Sequence, residues 1–393
     1  MKKILVFPIL CSFLFSNELD IVQKDKKELR EIEKKVIQKN YESLKNDWVG
    51  NIDLNSNLSK SYNFKDEISS DMNRSTGLSY SQSIFQSGGI EYSIQYAKEQ
   101  LYSDLISWEN ENILILETIY ETLLNIKKLR FQIEQSDYLL ENKEIELVLK
   151  KIQYEAGKVD IIELNNAIIS QNNQKKENIS LKNSLKEKEF ELSKYTNLKY
   201  NQIKLIDFKI PDKKKFLENS LNIRYENSKV QLLNTSYKQL KSSYLPQVKV
   251  SSSVNYQDNE NEDNRTNGTV GLSMTMPIFD ITKDSKLEKS KLEVLKQKVN
   301  LQDLKNQLSY EYEQILTQID TFESYETTIK ENLKLYDDLI LVNQSSNNAG
   351  MTSDYDLEIL QNTKKINEYD LVINDINKKL QYSKLYFKTK ANI

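Results

Sequence analysis

Few side chains in this sequence could carry out chemistry, and they do not cluster. The chain has no histidine and a single cysteine, Cys11, so the commonest general base and the commonest metal ligand are missing. Its 58 Asp and Glu residues are spread over helical patterns without a convergent acid–base or nucleophile set. We therefore predict that the chain is not an enzyme and binds no metal or cofactor. A formal charge of −3 gives no basic surface for nucleic acid, so no nucleic-acid partner is expected.

Residues 1–16 have the pattern of a secretory signal peptide, with Lys2 and Lys3 before an apolar stretch from Ile4 to Phe15. That stretch is shorter than the roughly 20 residues of a spanning helix. The alternative is a lipoprotein beginning at Cys11, which is disfavoured because Leu10 stands where a small residue is expected. No later segment is apolar enough for a spanning helix, so any membrane-embedded part would have to consist of strands.

Four segments alternate between apolar and polar side chains, with the two-residue period of a strand. The predicted strands are at about 48–59, 75–85, 246–257 and 269–279, with polar loops at 60–73 and 258–268. Segments of about ten residues suit tilted membrane strands. The polar face is nearly all Ser, Asn, Thr and Gly, but a soluble sheet with one solvated face remains the alternative. In a membrane, Trp48, Tyr80 and Tyr256 are expected at the interfaces.

Each hairpin leads into a very long helix with a seven-residue apolar repeat, at about 90–156 and 284–348. The first helix has two such sets, one containing Ile119 and Ile126 and one containing Tyr138 and Ile145. Their five-residue offset turns the helix by roughly 140°, so two seams face two neighbours. A two-stranded coiled coil needs one seam, whereas two seams fit a helix inside a ring.

The chain is an internal duplication. Ile84-Phe85 and Ala156-Gly157 recur as Ile278-Phe279 and Ala349-Gly350, and the two offsets differ by one residue. The first repeat spans 17–198 and the second 218–393, each beginning with a helix. They end in return helices at about 160–196 and 353–388. Residues 199–217 between them predict a linker or equatorial segment. Four strands cannot close a membrane barrel, whose smallest known form has about eight, so membrane strands would require an oligomer.

This order of elements resembles the TolC family of outer-membrane efflux and secretion channels. The likeness is carried by Tyr244-Leu245-Pro246, Gln82-Ser83-Ile84-Phe85, Met276-Pro277-Ile278-Phe279 and the tips at 154–164 and 347–357. No single motif is specific, but the ordered set covers nearly the whole mature chain.

The resemblance implies a fold that is mostly α with a β-barrel part. In a homotrimer, twelve strands would form an outer-membrane barrel, surrounded by outer-membrane lipid. This barrel would continue into an α-helical coiled-coil barrel in the periplasm. It further implies a passive conduit for efflux or type I secretion. A periplasmic adaptor, or membrane fusion protein, and an inner-membrane pump would open its periplasmic tip.

The resemblance also assigns entrance residues. In this family an acidic residue six places after the tip glycine narrows the entrance, and here these positions are Glu163 and Asp356. Three copies of each would form a ring that favours cations. The alternative is helix capping, because Asp160 precedes Glu163 by three residues and Ser353 precedes Asp356 in the same way.

Two positions depart from the family pattern. Thr352 stands where some members carry a basic residue, and Ile359 stands where some carry an aspartate. A looser or differently latched entrance is therefore our hypothesis.

The tips themselves have a simpler assignment. Gly157 and Gly350 are expected to end their helices in the left-handed conformation. With Ala156, Ala349, Leu164 and Leu357 they form the tips on which an adaptor would dock. The competing interpretation is a secreted coiled-coil structural or adhesin-like protein. It explains the heptads but not the four alternating segments or the double seam.

Overall fold

The computed structural model describes residues 19–63, 69–259 and 262–389, and the predicted signal peptide lies outside the described residues. After a short 3-10 turn at Leu19–Ile21, the elements follow in this order: α1 Lys24–Asn46, β1 Ile52–Asn63, β2 Ser69–Phe85, α2 Gly89–Glu155, α3 Ile161–Ser193, α4 Lys213–Asn219, α5 Leu221–Ser242, β3 Gln247–Asn259, β4 Glu262–Thr275, α6 Lys283–Asn348 and α7 Asp354–Thr389. A mostly helical fold with four strands, each pair followed by a long and a return helix, confirms the predicted fold class and duplication.

The four strands form one antiparallel sheet in the order β1-β2-β3-β4. The register of the sheet places the apolar positions of the four strands in shared rows on one face and the polar positions on the other. One row joins Ile52, Tyr80, Ser252 and Val270, and the next joins Leu54, Leu78, Val254 and Gly268. The opposite face carries rows such as Asp53, Ser79, Ser253 and Thr269. Because side chains alternate along a strand, the sheet has one apolar and one polar face.

The strand bounds differ from those predicted. β1 begins at Ile52 rather than 48, so Trp48 lies in the turn after α1. Much of the two predicted polar loops is paired strand, reaching Asn63 and Asn259. Polar side chains do not prevent pairing, because the ladder hydrogen bonds are made by the backbone. β4 ends at Thr275 rather than 279, before Pro277, which has no backbone N–H to donate.

The chain packs as two compact units, which cut across the sequence repeats. One unit consists of Glu31–Trp108 and Asn222–Leu304 and contains the whole sheet. Within it, the start of α2 is hydrogen-bonded to α5, and the turn before α2 is hydrogen-bonded to the residue that precedes β3. Ser87 Oγ donates to the carbonyl of Pro246 at 2.7 Å, and Gln239 Nε2 donates to Ser93 Oγ at 2.8 Å. Ala97 and Ile106 are buried in this unit.

The other unit holds the described residues through Arg30, then Glu109–Leu221 and the residues from Lys305 on. Its core includes Ile119, Leu123 and Ile126 of α2, which are fully buried. Tyr120 contacts the rings of Phe208 and Phe387, with centroids 6.1 and 5.7 Å away. Arg30 is buried, and its Nε donates to Asn112 Oδ1 at 2.8 Å.

The segment at 199–217 is a packed part of this unit. Phe208 and Phe216 are buried, and Tyr312 Oη donates to the carbonyl of Pro211 at 2.9 Å. Its aromatic anchors therefore hold the segment between the repeats against the helices. Among the described residues, no helix is both long and apolar enough to cross a membrane.

Candidate entrance tips and barrel wall

The two tips have the same backbone geometry. At the first tip, Gly157 has φ +70°, its N–H donates to the Tyr154 carbonyl at 2.9 Å, and Lys158 N donates to the Gln153 carbonyl at 2.8 Å. At the second tip, Gly350 has φ +75°. Its N–H donates to the Asn347 carbonyl at 2.8 Å, and Met351 N donates to the Ser346 carbonyl at 2.9 Å. These pairs are Schellman motifs, so the duplicated Ala-Gly encodes a duplicated helix end.

The first tip is closed by a helix cap and an ion pair. Asp160 Oδ1 accepts from the N–H groups of Ile162 and Glu163, both at 3.0 Å, which makes Asp160 the N-cap of α3. Glu163 does not complete a capping box. Its Oε2 instead accepts from Lys150 Nζ of α2 at 2.6 Å. The carboxylate is thus paired within its own helical hairpin.

The second tip is closed by a reciprocal capping box. Ser353 Oγ accepts from Asp356 N at 3.2 Å, and Asp356 Oδ2 accepts from Ser353 N at 3.1 Å and from its Oγ at 2.7 Å. Such an arrangement satisfies donors at the start of a helix. In these bonds Asp356 accepts only from the uncharged N–H and hydroxyl groups of Ser353, whereas Glu163 accepts from a lysine. The hydrogen bonds of the capping box therefore do not neutralise the charge of Asp356.

Thr352 is held by its own hairpin as well. Its Oγ1 lies 3.4 Å from both the carbonyl and the Oδ1 of Asn343. Asn347 Nδ2 donates to the Thr352 carbonyl at 3.3 Å and to Asp354 Oδ1 at 3.0 Å. Thr352 is therefore held by two asparagines of α6, Asn343 and Asn347.

The tips expose apolar side chains. Ile162 and Met351 are 64% and 81% exposed, and Ala156 and Ala349 are also exposed, whereas Leu164 and Leu357 are partly buried. A cleft of about 440 Å³ lies beside the first tip, lined by residues of α2 and α3 that include Lys150, Gln153 and Glu163. The first tip thus presents an exposed apolar side chain beside a cleft lined by both apolar and polar residues.

The sequence did not reveal the side-chain bridge between α2 and α7. Gln135 Nε2 donates to Asp370 Oδ1 at 2.7 Å, and a hydrogen bond to Glu134 raises the pKa of Tyr369 to about 12. The ring of Tyr369 also lies 6.1 Å from that of Phe131 and 6.0 Å from that of Tyr138. Phe131 and Tyr138 belong to the second predicted seam of α2, which indicated a neighbour but not which helix.

The three candidate interface aromatics lie at different levels along the direction of the strands. Tyr80 is in the row of Ile52 and Val270, and Tyr256 lies about 13 Å farther from the helices, at 3.3 Å per residue. Trp48 lies in the turn before β1, and its carbonyl accepts from Gln82 Nε2 at 3.1 Å. Trp48 and Tyr256 thus bracket the apolar rows, and Tyr80 lies within them.

No group of His, Cys, Asp and Glu side chains in the described parts of the chain is arranged to hold a metal ion.

Comparison with known proteins places this arrangement in a family. A family model described as "Outer membrane efflux protein" matches residues 29–198 and 214–365. A comparison with curated protein sequences gave no match.

Solved structures share the fold at low sequence identity. The Campylobacter jejuni CmeC outer membrane channel is 16% identical, with 95% of this chain and 84% of that chain covered at a TM-score of 0.75. The Vibrio cholerae outer membrane protein VceC is 11% identical, with 94% and 93% covered at 0.73. The open state of the Neisseria gonorrhoeae MtrE outer membrane channel is 13% identical, with 95% and 87% covered at 0.72. Since the family model covers most of its length, this chain belongs to the outer membrane efflux protein family and is a protein of the outer membrane.

Proposed function

We propose that three copies of this chain form a passive efflux or secretion conduit across the outer membrane. The observation that carries the proposal is the sheet, which has one apolar face and two open edges in a chain of an outer-membrane family. In lipid, unpaired backbone groups at the edges of β1 and β4 would each cost several kcal/mol. Pairing β4 of one copy with β1 of the next satisfies both edges, and three copies give twelve strands.

Exposed apolar stripes on the helices support the same assembly. α1 exposes Leu29, Ile32 and Val36, and α6 exposes Leu292, Leu295 and Val299. Each stripe has the three- and four-residue spacing of a packing face. These helices adjoin the edge strands, since α1 precedes β1 and α6 follows β4. Contact between α1 of one copy and α6 of the next would continue the strand pairing and cover both stripes.

At the tips, we propose that a periplasmic adaptor docks on the exposed apolar side chains around Gly157 and Gly350, and that an inner-membrane pump supplies the energy. The chain itself acts as a conduit and not as an enzyme. The entrance charge would come from Asp356 more than from Glu163, because Lys150 neutralises Glu163. Trp48, in the turn before β1, and Tyr256, on β3, would lie at the two lipid interfaces.

The proposal is tested by extraction, oligomeric state and conductance of the full chain. We expect a protein that leaves membranes only with detergent, runs as a heat-modifiable trimer and conducts ions in planar bilayers. A protein that is recovered as a soluble rod without detergent would contradict the proposal and favour the coiled-coil scaffold.

A further inference from the structure

The polar face of the sheet carries one cation near the helices. Lys249 is the third residue of β3, and it is paired with Ser83 of β2 and Ser273 of β4. The next row of the same face joins Ser81, Ser251 and Gly271. Lys249 is exposed, and its neighbours in both rows are short, so it projects farthest from the sheet at this level.

Lys249 has no ion pair with any carboxylate among the described residues. In the rows from Lys249 to Asp53, Asp53 is the one acidic side chain on this face, in the row of Ser253. Asp53 lies four residues farther along the strand direction than Lys249 and two strands away from it. At the usual strand spacings, the two residues are about 16 Å apart. Because this exceeds the Debye length of about 8 Å at physiological salt, Asp53 does not cancel the charge of Lys249.

The ladder between β2 and β3 becomes irregular beside this lysine. The register of β2 and β3 shifts between Ser83 and Phe85, so that Phe85 pairs with Val248. The extra residue, Ile84, forms a bulge directly after the Ser83–Lys249 pair. Bulges redirect side chains at barrel rims, and Lys249 occupies the last row of the β2–β3 ladder before this bulge.

We propose that Lys249 is a charge-selecting residue of the conduit and that three copies of it attract anionic solutes at the junction between barrel and helices. The inference rests on the proposed function, because three Lys249 side chains meet in one lumen only if the polar face points inward in a trimer. Rings of basic side chains select anions in other pores. In the described rows of Lys249 and Ser251 the other side chains are short, so they do not shield the ammonium groups from a passing solute.

The experiment uses thiol accessibility, which does not require the periplasmic tips to open. The one native cysteine, Cys11, lies in the predicted signal peptide, so Ser251→Cys supplies the thiol, two residues from Lys249 on the same face. The full chain is reconstituted in lipid vesicles. Its reaction rates are measured with 2-sulfonatoethyl and 2-trimethylammonioethyl methanethiosulfonate, which are small reagents of opposite charge. The anionic-to-cationic rate ratio is then compared with and without Lys249→Gln, which removes the charge but keeps a polar chain.

We expect Lys249→Gln to lower that ratio about fivefold, as a unit charge several Å away in water would. Asp53→Asn, about 16 Å away on the same face, should change it little. An unchanged ratio in Lys249→Gln, or a Ser251→Cys thiol that reacts with neither reagent, would overturn the inference. Val250→Cys, on the apolar face, distinguishes the two proposals. If it reacts as fast as Ser251→Cys, that face is not in lipid and the proposed function itself fails.

Discussion

At the scale of single residues, Gly157 and Gly350 are required by backbone conformation and not by lack of space. Both have positive φ, and a Cβ added at either position would meet nothing within 4 Å. A substitution there tests the Schellman turn alone, without steric clashes.

We expect Gly157→Ala to destabilise the first tip by about 1 kcal/mol, because alanine disfavours the left-handed conformation. Limited proteolysis at the tip should become faster. Gly157→Asn provides the control, since asparagine tolerates this conformation better and should be cleaved more slowly than the alanine variant. Equal cleavage of wild type and Gly157→Ala would contradict the prediction.

The two tip carboxylates should differ in their effect on ion selectivity. Asp356 accepts bonds only from Ser353 in the capping box, whereas Glu163 is paired with Lys150. We expect Asp356→Asn to weaken the cation preference of the channel, because it removes an unneutralised charge while keeping an oxygen for the cap. Glu163→Gln removes half of an ion pair and should leave Lys150 to shift the preference toward anions.

Reversal potentials under a salt gradient measure both changes. If Asp356→Asn leaves the reversal potential unchanged, Asp356 acts only as a cap.

At the scale of secondary-structure elements, the sequence predicted what depends on local pattern. The alternation of apolar and polar residues predicted the two faces of the strands, and the seven-residue repeats predicted the long helices. The Ala-Gly pairs predicted the ends of those helices. The sequence did not predict how far the strands pair or which residues distant in the chain make contact. Pairing continued into the polar segment after Ser59 because ladder bonds ignore side-chain type. The contact of Tyr369 with Glu134 joins residues far apart in sequence, and no spacing rule connects them. The glutamate proposed for the entrance, Glu163, was assigned by family position, which could not reveal its pairing with Lys150.

An added charge should impair membrane insertion on one face of β4 and have little effect on the other. Val270 is 84% exposed on the apolar face, and Thr269 beside it lies on the polar face with Ser253. We expect Val270→Arg to lose membrane insertion, because arginine near the bilayer midplane costs about 2–4 kcal/mol on a lipid-facing strand. Thr269→Arg should insert almost normally, because the polar face would line the lumen of the proposed barrel.

The fraction of each variant resistant to carbonate extraction from membranes measures this difference. Similar extraction of the two variants would place neither face in lipid.

At the scale of the whole molecule, stability should depend on pH through one glutamate in the helical core. Burial raises the pKa of Glu117 to about 7, with a smaller contribution from the nearby carboxylates of Glu121 and Glu311. Lys388 and Lys384 oppose the shift, and Lys388 is also ion-paired with Glu311. The Glu117 carboxyl thus lies where α2, α6 and the end of α7 meet. Its protonation is therefore expected to change the stability of the packing between these helices.

The sign of the pH dependence follows from proton binding. Between about 4.5 and about 7 the folded chain retains a proton on Glu117 that the unfolded chain has released, so stability falls as pH rises through this range and is then level. We expect Glu117→Gln to raise the stability of the detergent-solubilised protein at pH 8 by about 2 kcal/mol, after a discount for partial exposure, and to change it little at pH 4. Thermal unfolding followed by circular dichroism at both pH values measures the effect. Glu141→Gln, at an exposed position of the same helix, should show no comparable pH-dependent gain. If Glu117→Gln is no more stable than wild type at pH 8, the partly buried carboxylate of Glu117 does not limit the stability of this helical core in alkaline solution.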